Sequence, residues 1–85
     1  MKTVYNFYSD SGHAWLKVTR KEIESLGLFD KISHYSYQRN DNVYLEEDCD
    51  LIKFMQAKTD RKEVIIFREF HSKRTSKIRS YDSYF

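Results

Sequence analysis

The spacing of apolar and polar residues changes period several times along the chain, and each change marks an element. The densest signal is Val64-Ile65-Ile66-Phe67, the only stretch with four large apolar residues in a row. Charged pairs bracket it, Lys62-Glu63 before and Arg68-Glu69 after. Too short for a free-standing helix and rich in strand formers, it reads as a central strand covered on both faces. Thr3-Val4-Tyr5-Asn6-Phe7-Tyr8 predicts a first strand, closed by the turn cluster Ser9-Asp10-Ser11-Gly12. His13 to Val18 predicts a second strand or an extended lead into the first helix. Its alternation puts Ala14, Leu16 and Val18 on one face and Trp15 with the Lys17 stem on the other.

Thr19-Arg20-Lys21-Glu22 has the form of a capping box, and Val18 and Ile23 stand at the positions of a hydrophobic staple. Gly27 falls where a left-handed residue ends a helix, with Leu28 beyond it to meet Ile23. Together these signals predict a two-turn helix over residues 20–26, docked through Ile23 and Leu26. Ile32 to Gln38 predicts a strand, Arg39-Asn40-Asp41-Asn42 a turn, and Val43 to Glu46 the antiparallel return. Acids at 46–50 followed by Lys53 and Lys58 suit the dipole of a second helix. Leu51, Ile52 and Met55 form its apolar stripe, flanked by Phe54. The segment 77–85 predicts a last edge strand. The order β-β-α-β-β-α-β predicts an α+β fold: a small, mainly antiparallel sheet with two helices packed on one face, in a single domain over residues 1–85.

Composition supports a small folded domain. The chain is 40% hydrophobic and 16% aromatic, so its seven Tyr and six Phe do much of the packing. Proline is absent and glycine occurs only at Gly12 and Gly27, which argues against flexible linkers. The single Cys49 rules out an internal disulfide and suits a reducing cytoplasm. No apolar stretch approaches the roughly 20 residues of a membrane helix, and residues 1–6 do not lead into a signal peptide. The expectation is a cytoplasmic domain with no membrane contact. Charge is unevenly spread: residues 1–60 carry a balance of −2 and residues 61–85 one of +4.

That basic end is the leading functional candidate. His71, Lys73, Arg74, Lys77, Arg79 and Tyr81 interleave cations with hydroxyls and an aromatic, with no acid between Phe70 and Tyr81. Such groups contact phosphate oxygens and stack on bases. Trp15, Tyr35, Tyr37 and Tyr44 are further stacking candidates, although a chain short of aliphatic residues uses most of its rings in the core. The run Glu46, Glu47, Asp48, Asp50 reads as the acidic start of a helix, since it lacks the spacing of a calcium loop. His13, His34 and His71 do not combine with Cys49 in any zinc spacing, and no cofactor is implied. Whether the histidines meet the acidic run in space is not a matter that spacing decides.

Four segments, Tyr8 to Val18, Ile32 to Arg39, Tyr44 to Asp50 and Ser76 to Tyr81, resemble small uncharacterised proteins encoded by tailed bacteriophages and related mobile elements. The resemblance implies a cytoplasmic accessory protein in an infected cell and assigns no residue a role. The expectation is a non-enzymatic protein that binds and modulates a bacterial host or defence protein. The alternative is a nucleic-acid-binding module using residues 71–81, with a small His–carboxylate hydrolase well behind.

Overall fold

The computed structural model describes residues 3–84. It is an α+β domain in which six strands form one sheet. The strands are β1 (Val4–Ser9), β2 (Ala14–Thr19), β3 (Tyr37–Arg39), β4 (Asn42–Glu46), β5 (Ile66–His71) and β6 (Asp82–Ser83). Helix α1 (Arg20–Ser25) follows β2, α2 (Leu51–Asp60) follows β4, and a 3-10 helix (Lys77–Ser80) precedes β6. The spatial order is β5-β1-β2-β4-β3-β6. The β1–β5 pairing is parallel and the other four are antiparallel, so the sheet is mixed. No helix among the described residues is long and apolar enough to cross a membrane.

Strand alternation sorts the sheet into two faces. Tyr5, Leu16, Val18, Val43 and Leu45 point to one of them, where Ile23 of α1 and Leu51 and Phe54 of α2 close the core. Both helices therefore share one face. Helix α1 starts as its sequence predicts: Thr19 Oγ1 accepts the Glu22 N–H at 3.1 Å. Glu22 does not reach back to complete the box, because its carboxylate takes the Tyr5 hydroxyl at 2.7 Å and Lys58 Nζ at 2.8 Å. At the other end Gly27 has φ +71°, and Leu28 N–H reaches the Ile23 carbonyl at 3.0 Å, a Schellman ending. Lys58 is 2% exposed, held by Glu22 and by Glu63 at 2.6 Å. Burial opposes its charge, but these carboxylates prevail and raise its pKa.

Three expectations need correction. The run Val64–Phe67 is not central: β5 lies at the sheet edge, and Val64 and Ile66 are 67% and 52% exposed. Only Ile65 and Phe67 of that run pack on the core, so its two faces alternate like those of any half-covered strand. The true centre is β1, β2 and β4. Residues 32–36 are irregular chain with a turn at His34 and Tyr35 rather than strand, because Asp50 draws the chain round. Its buried carboxylate accepts the Ser33 N–H at 3.1 Å, the Ser33 hydroxyl at 2.7 Å and the Ser36 hydroxyl, an alternative to ladder bonding. The stripe of α2 is also rotated. Leu51, Phe54 and Lys58 are buried, whereas Ile52 is 67% and Met55 39% exposed. The charged Lys58 belongs to the inward face because its carboxylates are waiting there.

The second sheet face carries Trp15, Tyr44 and Ile78, all buried, with Tyr8, Tyr37 and Tyr81 packed around them. No α-helix contributes to this cluster. Instead the C-terminal segment crosses the face as the 3-10 helix, pegged by Ile78, before β6 pairs with β3 through Tyr37 and Gln38. The predicted edge segment is therefore present at Asp82–Ser83, while Phe85 lies outside the described residues.

Candidate functional site

The hub of the second face is Asp10, in the turn between β1 and β2. Its side chain is 2% exposed and forms a two-pronged pair with Arg79: Nε to Oδ2 at 2.7 Å and Nη2 to Oδ1 at 2.9 Å. The same carboxylate accepts the N–H groups of Gly12 at 2.9 Å, His13 at 3.0 Å and Ser76 at 2.9 Å. The Arg79 guanidinium, followed by these amides, holds the carboxyl well below the usual carboxylate range. A Cβ at Gly12 would lie 2.7 Å from Arg79 Nη2, so a side chain there would push the guanidinium off its seat on Asp10. The pair clamps the tail to the first hairpin and sets the Arg79 guanidinium 5.5 Å from the Trp15 ring centre.

Beside this clamp lies the larger cleft of the face, about 430 Å³. His13 and Trp15 line it from the start of β2, Glu46, Asp48 and Cys49 from the end of β4 and the turn after it. His34 and Tyr35 close it from the turn before β3, Tyr37 from the start of β3 and Arg79 from the 3-10 helix. Glu46, 6% exposed, stands opposite Trp15 in the β2–β4 register. Its Oε2 lies 3.2 Å from His13 Nδ1, and its Oε1 accepts the Asp48 N–H at 2.7 Å. Burial first, then the neighbouring Glu46, pushes the Cys49 thiol pKa up, so it stays protonated near neutral pH. The indole Nε1 of Trp15 is buried with no acceptor among the described residues.

A second cleft, about 290 Å³, opens on the other side of the 3-10 helix. Lys17 and Lys77 share it with Tyr8, Tyr44 and Tyr81. Tyr44 is pushed up to about 12 by burial and then by its neighbours Tyr81 and Tyr8, so its phenol is neutral. Tyr8 stacks on Phe70 of β5, ring centres 5.3 Å apart and planes 21° from parallel, and Phe70 remains 44% exposed. Arg68 lies on the same face of β5, two residues away. Among the described residues none of Lys17, Arg68, Lys73, Arg74 and Lys77 forms an ion pair.

The residues predicted from the basic tail thus divide. Lys73, Arg74 and Lys77 are exposed cations. His71 is exposed at the end of β5, its Nδ1 2.9 Å from Ser9 Oγ. Arg79 is bound to Asp10, and Tyr81 is half-buried against Tyr44 with Arg39 4.9 Å from its ring centre. Of the suggested stacking rings, Trp15 and Tyr44 are buried and Tyr35 is exposed. Sequence reasoning missed Tyr8 and Phe70, whose adjacency depends on the parallel β1–β5 register. Comparison of the chain with family models, curated proteins and solved structures finds no match.

Proposed function

We propose that the protein is a non-enzymatic binding protein whose working surface is the second sheet face, and that its ligand is single-stranded nucleic acid. The observation that carries this reading is the pairing of unneutralised cations with an exposed stacked ring. Lys17 and Lys77 share one cleft with Tyr8, and Tyr8 leads directly to Phe70 and Arg68. Single strands are bound by such a combination, a sheet face with aromatic rings for the bases and a cationic track for the phosphates. The loop carrying Lys73 and Arg74 extends the track, tied at Ser72 to Ser9 and at Ser76 to Asp10. Arg79 and Tyr81 act as the frame of this surface, whereas Lys77, Lys73 and Arg74 meet the ligand.

A protein partner, such as a host or defence protein in a phage-infected cell, is the second reading. It is favoured by the open edge of β5, where exposed Ile66 and the preceding Val64 stand beside unpaired backbone. Fluorescence anisotropy with labelled single- and double-stranded oligonucleotides at two salt concentrations separates the readings. Single-stranded binding should weaken with salt by roughly 0.7 log units per log unit of salt for each phosphate neutralised. Removing Lys17 and Lys77 together should lower that slope by about two contacts. Phe70→Ala should cost about 1–3 kcal/mol of binding and leave the slope unchanged. Absence of binding at low salt rejects the nucleic-acid reading and leaves the protein partner.

A further inference from the structure

We propose that His13, Glu46 and Asp48 form a binding site for a divalent transition-metal ion, with Zn²⁺ as the best match. One ligand atom from each of the three lies within 4.8 Å of the others. His13 Nδ1 and Glu46 Oε2 are 3.2 Å apart, the separation of two adjacent ligands each about 2.0–2.2 Å from a shared Zn²⁺. Asp48 is exposed, so its carboxylate is free to swing in as the third ligand.

The need for a cation comes from Glu46. It is 6% exposed, yet among the described residues neither a lysine nor an arginine is paired with it. Arg79 reaches the same cleft, but its Nε and Nη2 are given to Asp10. A buried carboxylate calls for a compensating positive charge, and His13 supplies one only when protonated. Among the described residues the buried Trp15 N–H beside this cleft also lacks an acceptor. A water or anion carried on the metal is a ligand of the kind such a donor lacks.

The ligands are held by bonds that do not use their metal-facing atoms. Asp10 fixes the His13 backbone N–H, and Glu46 Oε1 fixes the Asp48 N–H, which leaves Glu46 Oε2 toward the imidazole. Outer partners of this kind orient ligands before the metal arrives. One imidazole with two carboxylates suits Zn²⁺ or Mn²⁺, whereas Ca²⁺ takes six to eight oxygens and Mg²⁺ keeps most of its waters. The set is invisible to spacing rules because His13 and Glu46 come together only through the β2–β4 register.

Titration calorimetry and thermal melts of the full chain with Zn²⁺, Mn²⁺, Ca²⁺ and Mg²⁺ test the site. Zn²⁺ should bind at one equivalent and raise the Tm saturably, with Ca²⁺ and Mg²⁺ leaving it unchanged. Asp48→Asn, at an exposed position, should weaken Zn²⁺ binding by more than about 10-fold without changing the metal-free Tm appreciably. His13→Ala should weaken it at least as much, read against its own metal-free Tm because Glu46 loses its imidazole partner. His71→Ala, an exposed histidine outside the cleft, should bind as the wild type does. No saturable Zn²⁺ binding by the wild type overturns the proposal. So does binding that survives His13→Ala and Asp48→Asn, or that is lost with His71 instead.

Discussion

On the helix side of the sheet, eleven buried residues from strands, helices and loops close around Tyr5 and Phe54. On the other side the buried apolar cluster among the described residues is Trp15, Tyr44 and Ile78, under a single turn of 3-10 helix. The helix side neutralises its one buried cation, Lys58, with two carboxylates. Among the described residues the tail side leaves Lys17, Lys77 and Arg68 without an ion pair and Phe70 44% exposed. A face covered by helices has its polar groups satisfied by the protein itself. A face covered by a narrow strap keeps clefts on both sides of it, and those clefts hold the unspent chemistry of the molecule.

The largest effects should fall on the helix side. Phe54→Ala empties the centre of the main core and should cost about 3–5 kcal/mol in chemical denaturation. Ile66→Ala, in the run that looks most apolar in sequence, should stay within about 0.5 kcal/mol, because that side chain is half in water. Equal losses from the two would erase the contrast between centre and edge. Lys58→Ala strands Glu22 and Glu63 and should cost on the order of 3 kcal/mol. Lys58→Met, which keeps the stem, should recover part of that loss.

Smaller effects belong to the strap. Ile78→Ala should cost about 2 kcal/mol, the low end for a buried aliphatic side chain, because the tail can detach without opening the main core. Hydrogen exchange sharpens the point: the Arg79 and Tyr81 amides should exchange well before those of β2 in the wild type, and faster still in this variant. Simultaneous exchange would mean one cooperative unit rather than a core and a strap. The gentlest probe is acid. Arg79 and then the backbone amides depress Asp10, and at Asp50 the bonds from Ser36, Ser33 and Lys53 outweigh an opposing burial effect. Both folded pKa values lie below the unfolded one of about 3.9, so the unfolded chain takes up protons first as pH falls. Their stabilisation is complete above that value and is lost as the pH drops toward the folded ones. Urea melts from neutral to acid pH should show this decline, and Asp10→Asn should flatten part of it.

Local signals carried most of the first half of the fold. Thr19 and Gly27 mark both ends of α1 because a cap and a left-handed residue act within a few positions of themselves. The alternation of Ala14, Leu16 and Val18 against Trp15 and Lys17 likewise reads directly as two faces. What the sequence hides is whatever depends on a distant partner. Residues 32–36 have the composition of a strand, and bonds from Ser33 and Ser36 to the distant Asp50 hold them in a turn instead. Lys58 looks like a solvated helix end until Glu22 and Glu63 are placed beside it. The basic tail was legible as a charge pattern, but Asp10, 69 positions earlier in sequence, decides that Arg79 is part of the frame. His13, Glu46 and Asp48 converge for the same reason, across strands that neighbour one another only in space.

Amide chemical-shift mapping distinguishes a face that holds the fold from one that meets the ligand. A single-stranded oligonucleotide titrated into isotope-labelled protein at low salt should move the signals of Tyr8, Lys17, Arg68, Phe70 and Lys77, with Lys73 and Arg74 at the margin. The amides of α1 and α2 should stay in place. Shifts centred on the helices, or none at any residue of the second face, would rule out the second face as the binding surface.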